Sequence, residues 1–280
     1  MDPNLRIFTI PNAVPFHARP PTHTIIFLHG RGDSARNFVE TLGFSPDAHG
    51  HSITQSFPSV RWVFPEPVAR PGGERALQWF KVPDDLSDKA DEDTQVEGLR
   101  KYVASIRNLI HREAFYLNGR YHRIGLMGHC QGAATALHAL LSLDIKVMPD
   151  DADGTPLPRR LAAFIAFGAR MPFPGRSLEG TRAVLHLDDT TATDKDSNHN
   201  EILHNTPILL EHCDDDTIHP VKDGRALRDT LVSFGADVTL HEYVRGGHWF
   251  NTPCGIEDAI AFLEQALELE RKDPKTFARR

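Results

Sequence analysis

The sequence predicts an α/β fold in which a mostly parallel central sheet is covered by helices on both faces. Short apolar runs alternate along the chain with segments of helical periodicity, and turn residues separate the two kinds of segment. Several of these runs are apolar at every position, which is typical of parallel strands buried on both faces. Regular alternation of strands and helices favours the same architecture.

Six strands are expected from the apolar runs. In chain order they are His23–His29, Val60–Phe64, Ile124–Gly128, Leu161–Phe167, Pro207–Glu211 and Asp237–Tyr243. Helices are predicted where apolar residues recur three or four positions apart, because such residues share one helical face. The helical segments are Val96–Ile110, Ala133–Leu141, Leu227–Phe234 (stopped by Gly235) and Ile256–Leu267.

A length of 280 residues allows one large α/β domain or two small ones. Two polar, turn-rich segments, at about 148–160 and 187–200, interrupt the pattern, but strands continue on both sides of each. We therefore expect a single domain over residues 1–280, with a core of about 24–267 and these segments as loop insertions. Either insertion could border a substrate entrance.

Charge and cysteine content restrict the partners. The formal net charge of −7 argues against nucleic acid or an anionic membrane as a partner. No secretory signal and no apolar run of transmembrane length is visible, so we expect a cytoplasmic protein without integral membrane association. Cys130, Cys213 and Cys254 form neither a disulfide framework nor a zinc pattern, which favours a reducing compartment. Oligomeric state is left open.

The most informative motif is the turn Gly-His-Cys-Gln-Gly at 128–132, between an apolar run and a helix-forming stretch. A G-x-S-x-G turn in that position is the nucleophile elbow of α/β-hydrolases, and here Cys130 occupies the serine position. A free cysteine is often only a small buried apolar residue. Its place at a strand–helix turn, where a helix N-terminus favours a thiolate, predicts a nucleophile instead.

A nucleophile of this kind needs a base and an acid, which follow it in that fold in the order acid, then histidine. Asp216 follows the strand at Pro207–Glu211, and His248 follows the strand at Asp237–Tyr243. The sequence therefore predicts a triad of Cys130, His248 and Asp216, with Asp214 as the alternative acid.

An oxyanion hole is expected from two backbone N–H groups. One belongs to Gln131, directly after the nucleophile, and the other to Arg31, in the glycine-containing loop after the first predicted parallel strand. His129, adjacent to Cys130, and Trp249, adjacent to His248, are expected to line the substrate pocket. No phosphate-binding glycine pattern is present, so no nucleotide cofactor is implied.

The run from His212 to His219 contains cysteine, histidine and aspartate, all of which can bind zinc. Consecutive residues at a strand end point in different directions, and no second ligand pair has metal-like spacing. We therefore expect no metal at this run. Cys213 and Cys254 are expected to be structural.

Taken together, these motifs resemble the acyl-protein thioesterase/carboxylesterase (phospholipase/carboxylesterase) family of α/β-hydrolases. The resemblance rests on His-Gly-Arg-Gly-Asp at 29–33, the elbow at 128–133, Asp-Asp-Asp-Thr-Ile-His-Pro at 214–220 and the Gly-Gly-His loop at 246–248. Phe-Pro-Glu-Pro at 64–67 and Gln-Trp-Phe at 78–80 also match family stretches, and the similarity runs from about Thr24 to Leu267.

The resemblance implies an α/β-hydrolase fold and cleavage of a carboxylic ester or thioester, on a small-molecule or acyl-protein substrate. It implies Cys130 as nucleophile, Asp216 as acid and His248 as base, and it places Trp79 near the acyl pocket. The chain departs from the family pattern at Cys130, where serine is expected, at Cys213, where glycine is expected, and at Lys81, where aspartate is expected.

Three functions fit these residues. The first is hydrolysis through an acyl-Cys130 intermediate. The second is acyl transfer, lactonisation or cyclisation in a small-molecule pathway, since a cysteine acyl-enzyme can pass its acyl group to acceptors other than water. The third is a catalytically silent protein that binds a ligand, which the loss of serine suggests and the retention of Asp216 and His248 opposes.

Overall fold

A seven-stranded sheet crosses the part of the chain that the computed structural model describes, which is residues 2–10, 21–68, 77–81, 92–146, 154–187 and 199–269. The strands are β1 Leu5–Ile10, β2 His23–Leu28, β3 Val60–Pro67, β4 Ile124–His129, β5 Ala163–Phe167, β6 Ile208–Cys213 and β7 Val238–Tyr243. Their order in the sheet is β1-β3-β2-β4-β5-β6-β7, and all neighbours are parallel except β1 and β3.

All six predicted strands are present, with ends displaced by at most three residues. Strand β1 was not predicted. It is an edge strand that pairs antiparallel with β3, placing Phe8 opposite Phe64, and most of its residues are only half-buried. A half-exposed edge strand has no continuous apolar run, and it therefore lacks the pattern that identified the others.

Eight α-helices occur among the described residues. They are α1 Ala35–Leu42, α2 Ile53–Ser56, α3 Glu92–Tyr116, α4 Gln131–Leu141, α5 Leu178–Ala183, α6 His199–Asn205, α7 Val221–Ser233 and α8 Cys254–Leu267. The four predicted helical segments correspond to α3, α4, α7 and α8. None of the helices in the described ranges has the length and apolar character needed to cross a bilayer.

The helices cover both faces of the sheet, as predicted. Along β2, Ile26 and Leu28 pack in a core with α3, α4 and α7, whereas Ile25 and Phe27 pack in a second core with α1 and α8. Successive strand residues point to opposite faces, so a strand with two buried faces must be apolar at every position. This explains why β2 is recognisable in the sequence.

The predicted extent of the domain and its two insertions stay predictions. Residues 147–153 and 188–198, which make up much of the two segments, lie outside the described residues. The second segment ends inside the described part, where its last two residues begin α6.

The buried acid Glu211 is expected to make the stability of the folded protein depend on pH. Glu211, in β6, is 4% exposed, and neither of its carboxyl oxygens has a hydrogen-bond partner in the described part of the chain. Burial, with a smaller contribution from the charge of Asp258, raises the pKa of Glu211 well above its ordinary value. A raised carboxyl pKa means that the folded state holds a proton that the unfolded state releases. Stability therefore falls as pH rises above the ordinary glutamate pKa of about 4.3.

Glu211→Gln, which cannot ionise, is expected to flatten this dependence. Between pH 6 and 9 the wild-type melting temperature should fall further than that of the variant. Thermal unfolding followed by circular dichroism checks it. Parallel curves for the two proteins would show that Glu211 is not a buried neutral acid.

Candidate active site

The turn between β4 and α4 holds Cys130 in a strained backbone conformation, with φ +52° and ψ −119°. A non-glycine residue with positive φ is uncommon and occurs most often at functional sites. The backbone N–H of Cys130 donates to the carbonyl of Phe167 in β5 at 2.9 Å, and its carbonyl accepts from Ala134 in α4 at 3.2 Å. The turn is therefore tied to the sheet on one side and to the helix on the other.

The two glycines of the turn, Gly128 and Gly132, are required because other backbone atoms lie too close to them for a side chain to fit. A Cβ at Gly128 would lie 2.4 Å from the Cα of Ala133, and a Cβ at Gly132 would lie 2.3 Å from the carbonyl oxygen of His29. Backbone atoms cannot rotate out of the way as a flexible side chain can. Gly128 thus lets β4 turn tightly into α4, and Gly132 lets α4 pack directly against the end of β2 and the loop that follows it.

The structure brings the three residues of the predicted triad together. The Nδ1–H of His248 donates to Oδ2 of Asp216 at 2.8 Å, which directs Nε2 away from the carboxylate. Nε2 of His248 is buried, and apart from the Cys130 sulfur it has no hydrogen-bond partner among the described residues. A ring nitrogen of His248 lies within 4.8 Å of the sulfur of Cys130. Asp214, the alternative acid, is exposed, and its backbone N–H bonds to Tyr243 in β7.

A second histidine, His219, also lies at the sulfur. Its Nε2 is 3.7 Å from Sγ of Cys130, and its ring stands at 77° to the ring of His248 with centroids 5.1 Å apart. Asp216 Oδ1 accepts the backbone N–H groups of Ile218 and His219 at 2.8 and 2.9 Å, and this turn directs His219 into the site. The sequence showed His219 only as part of a polar run, and its position beside the sulfur was not predicted.

The electrostatics of the site favour an ion pair. Burial alone would raise the pKa of the Cys130 thiol, but hydrogen bonding to His219 and His248 outweighs burial and lowers it to about 6. Burial alone would lower the pKa of His248, but the sulfur of Cys130 and the carboxylate of Asp216 raise it to about 9. Between these values the site holds a thiolate and an imidazolium, which titrate as a coupled pair.

This charge state predicts an unusual reactivity of Cys130. Its alkylation by iodoacetamide should reach half its maximal rate near pH 6, whereas an ordinary thiol requires a pH of about 8.5. His248→Ala and His219→Ala should each move the midpoint upward, because each removes a group that stabilises the thiolate. Peptide-resolved mass spectrometry separates Cys130 from the exposed Cys254. A wild-type midpoint near 8.5 would contradict the ion pair.

The residues predicted to form the oxyanion hole flank the same site. Gly30 approaches the elbow so closely that a Cβ there would lie 2.8 Å from Nδ1 of His129, and Arg31 follows it on the exposed side of the loop. Gln131 is the first residue of α4, where a backbone N–H has no acceptor within the helix. The arrangement fits the two predicted donors, whose role stays a prediction.

Trp79 links these two loops. Its indole N–H donates to the carbonyl of His29 at 2.9 Å, and its backbone N–H donates to Oε1 of Gln131 at 2.7 Å. Nε2 of Gln131 donates in turn to the carbonyl of Phe80 at 2.7 Å. The Trp79 side chain is fully buried and packs edge-on against Tyr102. These contacts hold the loop after β2 and the start of α4 together. The contact of Trp79 with substrate stays a prediction.

His129 and Trp249 lie behind His248. Nε2–H of His129 donates to the backbone carbonyl of His248 at 3.0 Å. Burial, together with the neighbouring His248, lowers the pKa of His129 to about 3, so its ring is neutral. Trp249 is half-buried, packs edge-on against Phe250 and donates its indole N–H to Oγ of Ser45 at 2.9 Å. Both residues position the His248 loop, and their contact with substrate is not tested.

The polar run at 212–219 does not converge on a common point. His212 lies 3.3 Å from Asp216 Oδ2 and bonds through Nε2 to the carbonyl of His219, while Asp214 and Asp215 are exposed. Within the described ranges, the histidines, cysteines and acids close enough to share a metal ion are Cys130, His219 and His248. These three residues thus come from three different loops.

Comparison with solved structures identifies the fold. Zea mays acyl-protein thioesterase 2 superposes with a TM-score of 0.65 at 23% identity, covering 94% of this chain and 99% of that one. Esterase PE8 gives a TM-score of 0.65 at 23% identity, covering 94% and 100%. The chain is an α/β-hydrolase in fold.

Sequence comparison agrees with the resemblance in the motifs. Residues 12–148 match the phospholipase/carboxylesterase family model. Acyl-protein thioesterase 1 of Mycosarcoma maydis is 29% identical over 260 residues, which cover 88% of this chain and 92% of that protein. Acyl-protein thioesterase 1 of Debaryomyces hansenii is 29% identical over 134 residues, which cover 46% of this chain and 56% of that protein.

Proposed function

We propose that this α/β-hydrolase cleaves carboxylic esters or thioesters through a covalent acyl-Cys130 intermediate. The observation that carries the proposal is the convergence of Cys130, His248 and Asp216 at a strained elbow, with the 2.8 Å hydrogen bond between His248 and Asp216. The names of the sequence relatives, acyl-protein thioesterase 1, support the same reaction class. The substrate class we propose is an acylated protein or a small acylated metabolite.

In the acylation step, the Cys130 thiolate attacks the carbonyl carbon and the C=O electron pair moves onto oxygen. The backbone N–H groups of Arg31 and Gln131 stabilise this oxyanion. When the tetrahedral intermediate collapses, the bond to the leaving oxygen or sulfur breaks and His248 Nε2–H donates its proton to that atom. The products are an alcohol or thiol and the acyl-Cys130 thioester.

In the deacylation step, neutral His248 removes a proton from water as the water attacks the thioester carbonyl. Collapse of the second tetrahedral intermediate breaks the C–S bond, which releases the carboxylic acid and restores the thiolate beside the imidazolium. Asp216 holds the imidazole tautomer and stabilises its charged form throughout.

The sulfur nucleophile favours thioesters over oxygen esters. Transfer of an acyl group from a thioester to Cys130 replaces one C–S bond by another. Transfer from an oxygen ester to Cys130 instead produces a thioester that is more reactive than the starting ester. A cytoplasmic location belongs to the same proposal, because the site requires a free thiolate.

A matched panel of esters and thioesters of the same acyl chains, at several chain lengths, tests the proposed reaction class. We expect free acid as the product and a higher kcat/KM for the thioester of each pair. Adding an alcohol or amine acceptor distinguishes hydrolysis from transfer. Accumulation of acyl-acceptor product in place of acid would show a transferase, and no turnover of any substrate by folded protein would show a binding protein.

A further inference from the structure

We propose that Cys130, His219 and His248 form a binding site for a thiophilic divalent cation such as Zn²⁺, and that the bound cation reversibly blocks the nucleophile. The binding itself rests on the geometry and chemistry of these three side chains and the groups that hold them. Its inhibitory consequence rests on the proposed function, since it requires Cys130 and His248 to be the catalytic groups.

The three donors are of the kinds that zinc prefers, one sulfur and two imidazole nitrogens. Their ligand atoms lie within 4.8 Å of one another, and the pair formed by Cys130 Sγ and His219 Nε2 is 3.7 Å apart. Ligand atoms of a tetrahedral zinc site are separated by about 3.5 Å, as follows from bond lengths of about 2.0–2.3 Å. Side-chain rotations that move ligand atoms by about 1 Å are thus sufficient to close the site.

The surrounding residues already orient two of the ligands. The carboxylate of Asp216 accepts the Nδ1–H of His248, which leaves Nε2 as the ligand atom, and metal-binding histidines commonly have such a carboxylate partner. The backbone of His219 is held at its N–H by Asp216 and at its carbonyl by His212, so its ring can turn while its main chain stays fixed. Within the described part of the chain, the Cys130 sulfur is the one group that His248 Nε2 interacts with, and the nitrogen is buried.

The charges also suit a cation. A metal here would meet the thiolate of Cys130 directly and the carboxylate of Asp216 through His248. Binding displaces the Nε2 proton of His248, because a ligand nitrogen must be unprotonated. Cys130 is only partly buried, and zinc sites with three protein ligands commonly take water as the fourth. With its sulfur and His248 Nε2 both bound to metal, the enzyme has neither its nucleophile nor its base.

Titration of the full chain with Cd²⁺, after treatment with chelator and without added thiols, tests the binding directly. We expect one equivalent to produce an ultraviolet thiolate-to-cadmium charge-transfer band that EDTA reverses and Zn²⁺ displaces. Cys130→Ala should abolish the band. His219→Ala should keep the thiol but weaken Cd²⁺ binding by at least about tenfold. His49→Ala, which removes an exposed histidine, is the matched control and should bind as wild type does.

Two results would overturn the inference: no band in wild-type protein whose circular dichroism shows it to be folded, or equal Cd²⁺ affinity for wild type and His219→Ala. Acylation of Cys130 measured in EDTA separates this inference from the proposed function. Acylation without cation binding rejects the metal site alone, whereas cation binding without acylation rejects the acyl-enzyme alone.

Discussion

Cys130→Ala is expected to lower kcat/KM for a thioester substrate by at least about 10³-fold. Alanine removes the sulfur that forms the covalent bond to the acyl group. His219 and His248 belong to other loops, so neither can carry the acyl group at the elbow in its place. The same change should leave folding intact, because the backbone of residue 130 keeps its hydrogen bonds to Phe167 and Ala134. Steady-state kinetics on purified protein of matched circular dichroism checks both expectations.

Cys254→Ala is the matched control for this change. Cys254 is an exposed free cysteine at the start of α8, and its removal should leave the activity unchanged. If Cys130→Ala retained activity within a few-fold of wild type, Cys130 would not be the nucleophile.

Cys130→Ser refines the same test. A serine hydroxyl does not ionise near neutral pH, so His248 has to remove its proton during attack, and the preformed ion pair is lost. We expect an activity between those of wild type and Cys130→Ala. An active serine variant beside an inactive wild type would instead show that the natural protein binds ligands without turning them over.

Gly132→Ala is expected to be the most damaging small substitution at the site. Its Cβ would lie 2.3 Å from the carbonyl oxygen of His29 and 2.6 Å from that of Leu28, and both are backbone atoms. The loop after β2 therefore has to move away from α4. That movement separates the backbone N–H groups of Arg31 and Gln131, which we propose share one oxyanion. A misplaced oxyanion donor costs about 10²-fold or more in kcat.

The effect on folding has the same cause. Alanine is better than glycine in a helix by about 1 kcal/mol, so a loss of stability would come from the clash alone. Overpacking commonly costs about 1–3 kcal/mol, and we expect a lower melting temperature together with the lower kcat. Gly180→Ala, in helix α5, meets only ordinary contacts of 3.4 and 3.5 Å and is the matched control. A wild-type melting temperature and kcat for Gly132→Ala would show that elbow and loop are not in close contact.

The parts of the fold that could be predicted are those with a periodic apolar pattern. Strands β2 and β4 are buried at every position, and the apolar stripe of α3 faces a single core. Each of these elements therefore has an apolar pattern that can be recognised in the sequence. Strand β1 leaves none, because its half-exposed residues are fixed by backbone pairing with β3. Such pairing depends on the partner strand, which a local pattern does not contain.

The candidate site divides in the same way. Cys130, Asp216 and His248 were predictable because each follows a strand of a parallel sheet, and strand ends meet at one edge. His219 was not predictable, because its position depends on a turn in which Asp216 Oδ1 accepts two backbone N–H groups. The run Asp-Asp-Asp-Thr-Ile-His allows several such turns. The bracing contacts of Trp79 likewise depend on where the side chain of Gln131 points.

The most direct test of the acyl-enzyme is intact-mass spectrometry of the protein after brief exposure to an activated acyl thioester, quenched in acid and followed by peptide mapping. We expect a mass gain of one acyl group, located on Cys130, that disappears on further incubation and is absent from Cys130→Ala. No adduct on Cys130 in folded wild-type protein that hydrolyses the same substrate, or an adduct that is never released, would contradict it.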